Sequence, residues 1–194
     1  MKVLSVNRAL AVDVHVNGRK LRSAIGKRAV PGPVAVRGLG LEGDEQADLS
    51  LHGGTSKAVY AYPHEHFAFW QTVRAQARVS LWDEPLAPGT MGENLTIQGL
   101  SEDRLWIGDR LLIGGNDGAP GCVLAVSEPR FPCSKFTAII GFKHAAKMMV
   151  QSGYCGAYLG VLVPGFVQAG DAIELQPGPR EVNLRELFKS RARA

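Results

Sequence analysis

Residues 123–136 read VLAVSEPRFPCSKF, an apolar run followed by a short segment that holds two prolines and a cysteine. The apolar run predicts a β-strand. Pro129 and Pro132 fix their own φ angles and lack backbone N–H donors, so the segment after the strand is predicted to be a rigid, non-helical loop. The loop would hold the side chain of Cys133 in one place.

Cys133 has the setting of a reactive cysteine. The thiolate is the nucleophilic and metal-binding form of cysteine, and nearby positive charge favours it. Arg130 and Lys135 lie within three residues on either side and could supply that charge. The alternative, which the local sequence alone does not overturn, is a small apolar side chain packed in a turn.

The composition is that of a soluble globular protein. The chain has 194 residues, of which 45% are hydrophobic and 21% charged, enough for one sizeable core. It contains no run of about 20 apolar residues and no signal-peptide pattern, so we expect no membrane association and a cytoplasmic location. Three cysteines at positions 122, 133 and 155 form no CxxC pair, which favours a reducing compartment without a zinc knuckle.

The net charge of +4 is partly local, because the C-terminal end is rich in arginine and lysine. No aromatic residues alternate with these cations and no reading helix is evident, so binding to a nucleic acid polymer is not expected. Lys27 and Arg28 stand beside a Pro-Gly-Pro break at residues 31–33. They could bind an anion or be ordinary solvated surface.

Short strands dominate the predicted secondary structure. Asn17-Gly18 predicts a tight hairpin between strands at 12–16 and 19–21. Helices are predicted from Pro63, as the first helical residue, to about Arg78, over 141–152 with Gly153 as the stop, and near 181–191. About ten strands and two or three helices indicate a mainly β protein, a barrel with peripheral α-helices.

The stretch 38–54 is predicted to be a shaped loop, since it holds five glycines. Gly53 and Gly54 would let a ligand approach the backbone closely, and Lys57 would add a cation. The Gly-Lys-Ser/Thr order of a Walker loop is absent, and no GxGxxG links a strand to a helix. His64 and His66 are two residues apart and therefore cannot form the i, i+4 zinc pair of a metalloprotease helix.

Five separated motifs together resemble the MOSC domain family, the C-terminal domain of molybdenum cofactor sulfurases, and within it the YiiM-like branch. They span roughly residues 23–175 and comprise Gly43-Asp44 with Gln46-Ala47-Asp48, His52-Gly53-Gly54 with Lys57-Ala58-Val59-Tyr60, Gly92-Glu93-Asn94-Leu95-Thr96, Ile107-Gly108-Asp109-Arg110, and Pro129-Arg130 with Pro132-Cys133. The resemblance implies a closed β-barrel of MOSC type over residues 1–178. A short helix and basic tail would follow at 179–194, in place of the three-helix extension of that branch.

The resemblance also implies a molybdenum cofactor (molybdopterin), with Cys133 as molybdenum ligand or sulfur-carrying thiol. His52 becomes a candidate proton donor, although a histidine that is simply packed in a loop is an equal alternative. The residues expected to bind the cofactor are Lys27, Arg28, Gly53, Gly54, Lys57, Tyr60, Glu93, Asn94, Arg130 and Lys135.

Three functions are compatible with these features. The first is a reductase of N-hydroxylated compounds of the hydroxylamino purine type, a monomer or homodimer that receives electrons from a separate protein. The second is a carrier of the cofactor or of persulfide sulfur on Cys133, without turnover of a small molecule. The third, remote one is pyridoxal phosphate bound through Lys57.

Overall fold

The structure is a computed structural model that describes residues 1–16, 18–47, 53–115 and 121–192. Within these residues the chain forms thirteen strands and four α-helices. The strands are β1 Lys2–Arg8, β2 Val12–Val16, β3 Arg19–Ser23, β4 Arg28–Ala29, β5 Val34–Arg37, β6 Gly40–Leu41, β7 Val59–Pro63, β8 Leu95–Gln98, β9 Arg110–Ile113, β10 Cys122–Pro129, β11 Ala157–Val163, β12 Gly165–Val167 and β13 Ile173–Gln176. The helices are α1 Phe67–Gln76, α2 Ser134–Ile140, α3 Ala145–Ser152 and α4 Leu184–Arg191.

The largest sheet has eight strands in the order β13-β9-β10-β11-β7-β8-β1-β4. Its neighbours are antiparallel except β7 and β8, which run parallel. A second sheet has the order β12-β5-β6, and β2 pairs with β3 as the predicted hairpin. The mainly β architecture with a few helices is therefore confirmed.

The two ends of the large sheet approach each other without a continuous ladder. Lys2 forms an isolated bridge with Ala172, and the Val3 amide donates to Asp171 O at 2.9 Å. The ladder ends at β4 and β13, so the sheet is open and the predicted closed barrel is not confirmed. Among the described residues, no helix has the length and apolar character needed to cross a bilayer.

Two apolar clusters form the core. One joins the inward-facing side chains of the sheets, including Val6, Leu111 and Leu124, all fully buried. The other lies between β7 and the helices and is centred on Trp70 and Phe136. Burying such side chains stabilises the fold by about 1.5–3 kcal/mol each. This second cluster forms the floor under the segment that carries Cys133.

Two helical boundaries differ from the sequence prediction. Pro63 is the last residue of β7, and a 3-10 turn at His64–His66 comes before α1. The predicted helix 141–152 begins only at Ala145, as α3, and it ends at Gly153 as expected. Asn17 of the predicted hairpin turn lies outside the described residues, whereas both of its strands are confirmed.

The segment around Cys133 is helical on one side, which corrects the prediction of a loop over 127–136. Residues 127–129 belong to β10, and α2 begins directly after Cys133. Cys133 itself is extended, with φ −130° and ψ 174°, and its carbonyl accepts from the Thr137 amide at 3.1 Å. The prolines thus restrict only residues 129–132, while residues 134–140 are free to form a helix.

Asp109 explains the Ile107-Gly108-Asp109-Arg110 motif. Its carboxylate is fully buried and accepts from the amides of Trp106 (3.0 Å) and Gly178 (2.8 Å). Gly108 has φ 89°, which allows the chain to turn tightly before β9. Through its hydrogen bond with Gly178, Asp109 therefore holds residues 177–183 against the sheet.

Replacing Asp109 by alanine should lower the free energy of unfolding by about 2–4 kcal/mol, because two amide donors lose their acceptor. Urea denaturation measures the change. Asp109→Asn, which keeps one carbonyl oxygen as an acceptor, should lose less stability. Equal losses in the two variants would contradict this explanation.

A buried polar network crosses from β8 to β1 behind the sheet. The Glu93 carboxylate accepts from the Gly89 amide (2.6 Å) and the Thr96 hydroxyl (2.7 Å). The side-chain amide of Asn7 donates to Thr96 Oγ1 at 3.1 Å and accepts from the Ser5 hydroxyl at 2.7 Å. Burial raises the pKa of Glu93 above its ordinary 4.5, although the bonds from Gly89 and Thr96 oppose that change.

The raised pKa of Glu93 predicts a pH-dependent stability. Its protonated form stabilises the fold fully below pH 4.5, and that contribution is lost as the pH rises through the higher folded-state pKa. The stability of Glu93→Gln relative to wild type should therefore increase from about pH 4.5 to pH 8 in urea denaturation. The exposed Glu174→Gln is the control. A stability difference that stays constant with pH would contradict the prediction.

Candidate functional site

One pocket collects most of the side chains that the sequence singled out. It encloses about 620 Å³ of empty space, part of which is open to solvent. Its walls come from the end of β3 and the next residues, from the loop before β7, from β7, and from the segment between β10 and α2. Seven predicted site residues line it: Lys27, Lys57, Tyr60, Asn94, Arg130, Cys133 and Lys135.

Cys133 lies at the pocket wall and is half-buried. Cys122 and Cys155, by contrast, are fully buried. Burial raises the pKa of Cys122 to about 12 and also raises the pKa of Cys155, so both remain protonated at neutral pH. Cys133 thus differs from both in its access to the pocket, and the two other cysteines fit the role of core side chains.

Arg130 is a buried cation behind the cysteine. Its side chain is 4% exposed, and its guanidinium carbon lies 5.2 Å from the ring centre of Tyr60 and 4.8 Å from that of Phe136. Burial alone lowers the pKa of Arg130, but the negative potential of Tyr60, Tyr158 and Cys133 outweighs it, so the pKa is raised. Arg130 is therefore always charged.

One nitrogen of this cation has no hydrogen bond. Nη1 of Arg130 is buried and has no partner in the part of the chain that the structure describes. A buried charged donor without an acceptor is unfavourable by about 1–3 kcal/mol or more, so native proteins rarely keep one without a reason. Since Arg130 lines the pocket, this nitrogen is suited to an anionic or polar ligand.

Two tyrosines complete the wall around Arg130. The Tyr60 hydroxyl donates to Cys155 O at 2.8 Å, and the rings of Tyr60 and Tyr158 lie 5.3 Å apart. Burial raises the pKa of both phenols although Arg130 lowers it, so they remain neutral. They give the pocket an aromatic side on which the two rings are tilted by 43° to each other.

Lys27 lines the pocket as one half of a buried ion pair. Its Nζ lies 2.5 and 2.6 Å from the two carboxylate oxygens of Asp44. The Asn94 side chain and the Ala9 amide each donate to Asp44 at 2.8 Å. Asn94 in turn accepts from the Tyr60 amide at 3.0 Å, which explains why an asparagine stands there.

Lys57 and Lys135 lie nearer the solvent. Lys57 Nζ is 3.6 Å from Glu128 Oε2 and 5.9 Å from the ring centre of Tyr158. Its side chain is 21% exposed. Lys135 follows Cys133 by two residues, is half-buried and faces the same pocket. These two lysines place positive charge at the rim, with Arg130 below.

Four predicted site residues lie elsewhere. Arg28 is exposed in β4, and Glu93 is fully buried in the network behind the wall. Gly53 and Gly54 lie beside the pocket and not in its lining, where the Gly54 amide donates to Gln46 Oε1 at 2.8 Å. His52 lies outside the described residues, so its proposed proton transfer stays a prediction.

Asp44 and Tyr158 are among the pocket residues that sequence reasoning did not assign to the site. Asp44 was part of a quoted motif, but nothing in the local sequence showed that it pairs with Lys27. Tyr158 lies in β11 and reaches the pocket because β11 pairs with β7, placing it opposite Tyr60. Pairing of strands that are about 100 residues apart is not readable from one sequence.

The side chains also limit how a metal could be held. In residues 1–16, 18–47, 53–115 and 121–192, no group of three His, Cys, Asp or Glu side chains could hold a metal ion. A single cysteine sulfur at a pocket with a buried cation instead suits a metal that arrives within an organic anion, which supplies its other ligands.

Comparison with known proteins agrees with the sequence motifs. A model of the MOSC domain matches residues 48–174. The uncharacterized protein YflK of Bacillus subtilis is 38% identical over 173 residues, covering 89% of this chain and 72% of that protein. Protein YiiM of Escherichia coli is 35% identical over 165 residues, which cover 84% of this chain and 68% of that protein. A Gibberella moniliformis protein named reductase is 33% identical over 178 residues, 90% of this chain but 30% of that protein.

Solved structures give the same assignment. YiiM from Geobacillus stearothermophilus superposes with a TM-score of 0.72 at 28% identity, covering 96% of this chain and 81% of that one. YiiM from Escherichia coli superposes with a TM-score of 0.65 at 28% identity, covering 91% of this chain and 73% of that one. Family match, relatives and fold agree, and the chain belongs to the MOSC domain family as a YiiM-like member.

Proposed function

We propose that this chain binds a molybdenum cofactor in the pocket, with Cys133 as the molybdenum ligand, and reduces N-hydroxylated compounds. The observation that carries the proposal is the unpartnered, buried Nη1 of Arg130 at the wall that also presents the Cys133 sulfur. Membership of the MOSC family supports the cofactor. The Gibberella relative named reductase supports the type of reaction.

The residues of the pocket fit such a group. A thiolate is a soft donor suited to molybdenum, and Cys133 is the cysteine that faces the pocket. Arg130 offers a fixed charge and an open donor for a phosphate or a polar pterin edge. Lys57 and Lys135 add charge where an anion would enter.

The chain's own contribution is binding, orientation and exclusion of water. When bound, a molybdenum cofactor supplies the redox change that removes oxygen from an N–O bond. The neutral rings of Tyr60 and Tyr158 offer an apolar surface on which a flat heterocycle can stack. The surrounding core cluster limits water on that side, which strengthens electrostatic interactions inside the pocket.

The proposal includes a separate electron-donor protein, because the pocket residues offer no redox chain of their own beyond the cysteine. It also includes a cytoplasmic location, since a reducing compartment preserves the Cys133 thiol. In the carrier alternative, the same sulfur would hold persulfide or cofactor without turnover.

Protein purified from a host that makes the cofactor should contain molybdenum by elemental analysis, and Cys133→Ala should contain little. The control is Cys122→Ala, which removes a cysteine in β10 that lies outside the pocket. This variant should keep its molybdenum. With an artificial electron donor, wild type should reduce a hydroxylamino purine to the amine. Molybdenum without reduction would favour the carrier, and equal molybdenum in Cys133→Ala would exclude the sulfur as ligand.

Arg130→Met should separate binding from folding. Without the cofactor, the variant should unfold at equal or higher urea concentration than wild type, because a buried charge with an open donor is removed. Its cofactor affinity should fall about 10-fold to 100-fold, the loss expected for one charged hydrogen bond. The cofactor affinity of Arg130→Lys should lie between those of wild type and Arg130→Met. A variant that loses stability but retains molybdenum would show that Arg130 serves the fold alone.

A further inference from the structure

The Lys27–Asp44 pair is an unusual feature of the pocket wall. The two side chains are 8% and 6% exposed, and both line the pocket. A buried ion pair contributes little net stability, because the desolvation of both charges offsets most of their attraction. The Asp44 carboxylate neutralises the charge of Lys27, so Lys27 should bind a phosphate more weakly than Arg130 does. The pairing therefore indicates that Lys27 has a role other than the anion binding expected from the sequence.

The pair is held in one geometry. Asp44 accepts from Lys27, from the Asn94 side chain and from the Ala9 amide, which together hold the carboxylate. Lys27 is the residue directly before β4, and its carbonyl oxygen packs against Gly89, where an added Cβ would lie 2.4 Å from that oxygen. Gly89 has φ 89° and thus leaves room for this approach. Both the acid and its partner are preorganised.

The ammonium of Lys27 also gives up its proton more easily than an exposed lysine. Burial lowers the pKa of Lys27 from its ordinary 10.5, and the charges of Asp44 and Glu93 only partly oppose that change. A general acid works best when its pKa approaches the working pH. A proton donor requires a lowered pKa of this kind.

Several other titratable groups of the pocket are less suited. The pKa of Arg130, Tyr60 and Tyr158 is raised in each case, so these side chains hold their protons. Lys57 lies at the rim beside Glu128. Glu45 accepts from the Ala11 amide at 2.8 Å and lies 3.7 Å from Arg22 at the outer edge.

We propose that Lys27, held by Asp44, donates a proton to the departing oxygen during N–O reduction. This inference rests on the proposed function. The balanced reaction is R–NHOH + 2 e⁻ + 2 H⁺ → R–NH₂ + H₂O. The N–O bond breaks, two electrons arrive from the reduced cofactor, and nitrogen is reduced.

One proton, from Lys27, reaches the oxygen, which leaves as water. The second proton comes from solvent and reaches nitrogen. Lys27 then exists as the neutral amine, which still donates a hydrogen bond to Asp44 and takes a proton from solvent before the next cycle. Asp44 acts as a positioning residue, because it fixes the nitrogen and does not itself need to reach the substrate.

The decisive variant is Lys27→Arg. Arginine keeps the positive charge and can bond to Asp44, but it does not release a proton at working pH. Cofactor-loaded Lys27→Arg should keep its molybdenum content and KM for the hydroxylamino purine, while kcat falls by about 10²-fold to 10⁴-fold, the usual contribution of a general acid. Lys143→Arg, at an exposed lysine, is the matched control and should keep kcat.

A readout independent of turnover is the titration of Lys27 in cofactor-free protein. In NMR spectra of lysine-labelled protein, the signal missing from Lys27→Arg identifies Lys27. Its pKa should lie below 10.5. A pKa at or above that value overturns the proposal, as does a Lys27→Arg enzyme that retains kcat. Failure of wild type itself to bind molybdenum or reduce the substrate would instead overturn the proposed function, and this inference with it.

Discussion

The buried guanidinium of Arg130 organises this molecule around its pocket. It lies between the rings of Tyr60 in β7 and Phe136 in α2, so one cation connects the central sheet to the helix that follows Cys133. Cation–π contacts of a desolvated guanidinium contribute on the order of 2 kcal/mol, which helps to offset its burial. Within the described residues Nη1 of Arg130 has no hydrogen-bond partner, and this is the donor on which the proposed ligand site rests.

The charges of the pocket divide into two kinds. Lys27 is matched by Asp44 at hydrogen-bond distance, and Lys57 lies near Glu128 at 3.6 Å. Among the described residues Arg130 forms no ion pair with a carboxylate, and it lies among the phenol rings of Tyr60 and Tyr158. Attraction for an anion thus depends on where carboxylates stand as much as on the number of cations. A site that mixes a paired and an unpaired cation can bind an anion with one and handle protons with the other.

Local sequence features predicted a good part of the structure. The hairpin of β2 and β3 and the end of α3 at Gly153 follow from turn and capping chemistry over a few residues. The extended backbone of Cys133 also agrees with the prolines before it. The helix α2 was missed because those prolines restrict their own φ angles, and their effect does not extend beyond Cys133.

By itself, the sequence determined the mainly β class, the family motifs and the cysteine on which the proposed chemistry depends, since each is a property of neighbouring residues. Only the tertiary structure decided that Arg130 is buried with an open donor, that Lys27 is bound to Asp44, and that Glu93 belongs to the core and not to the pocket. These outcomes depend on burial and on pairs between strands far apart in the chain. Electrostatic energies change several-fold with such surroundings, so residue type alone cannot assign them.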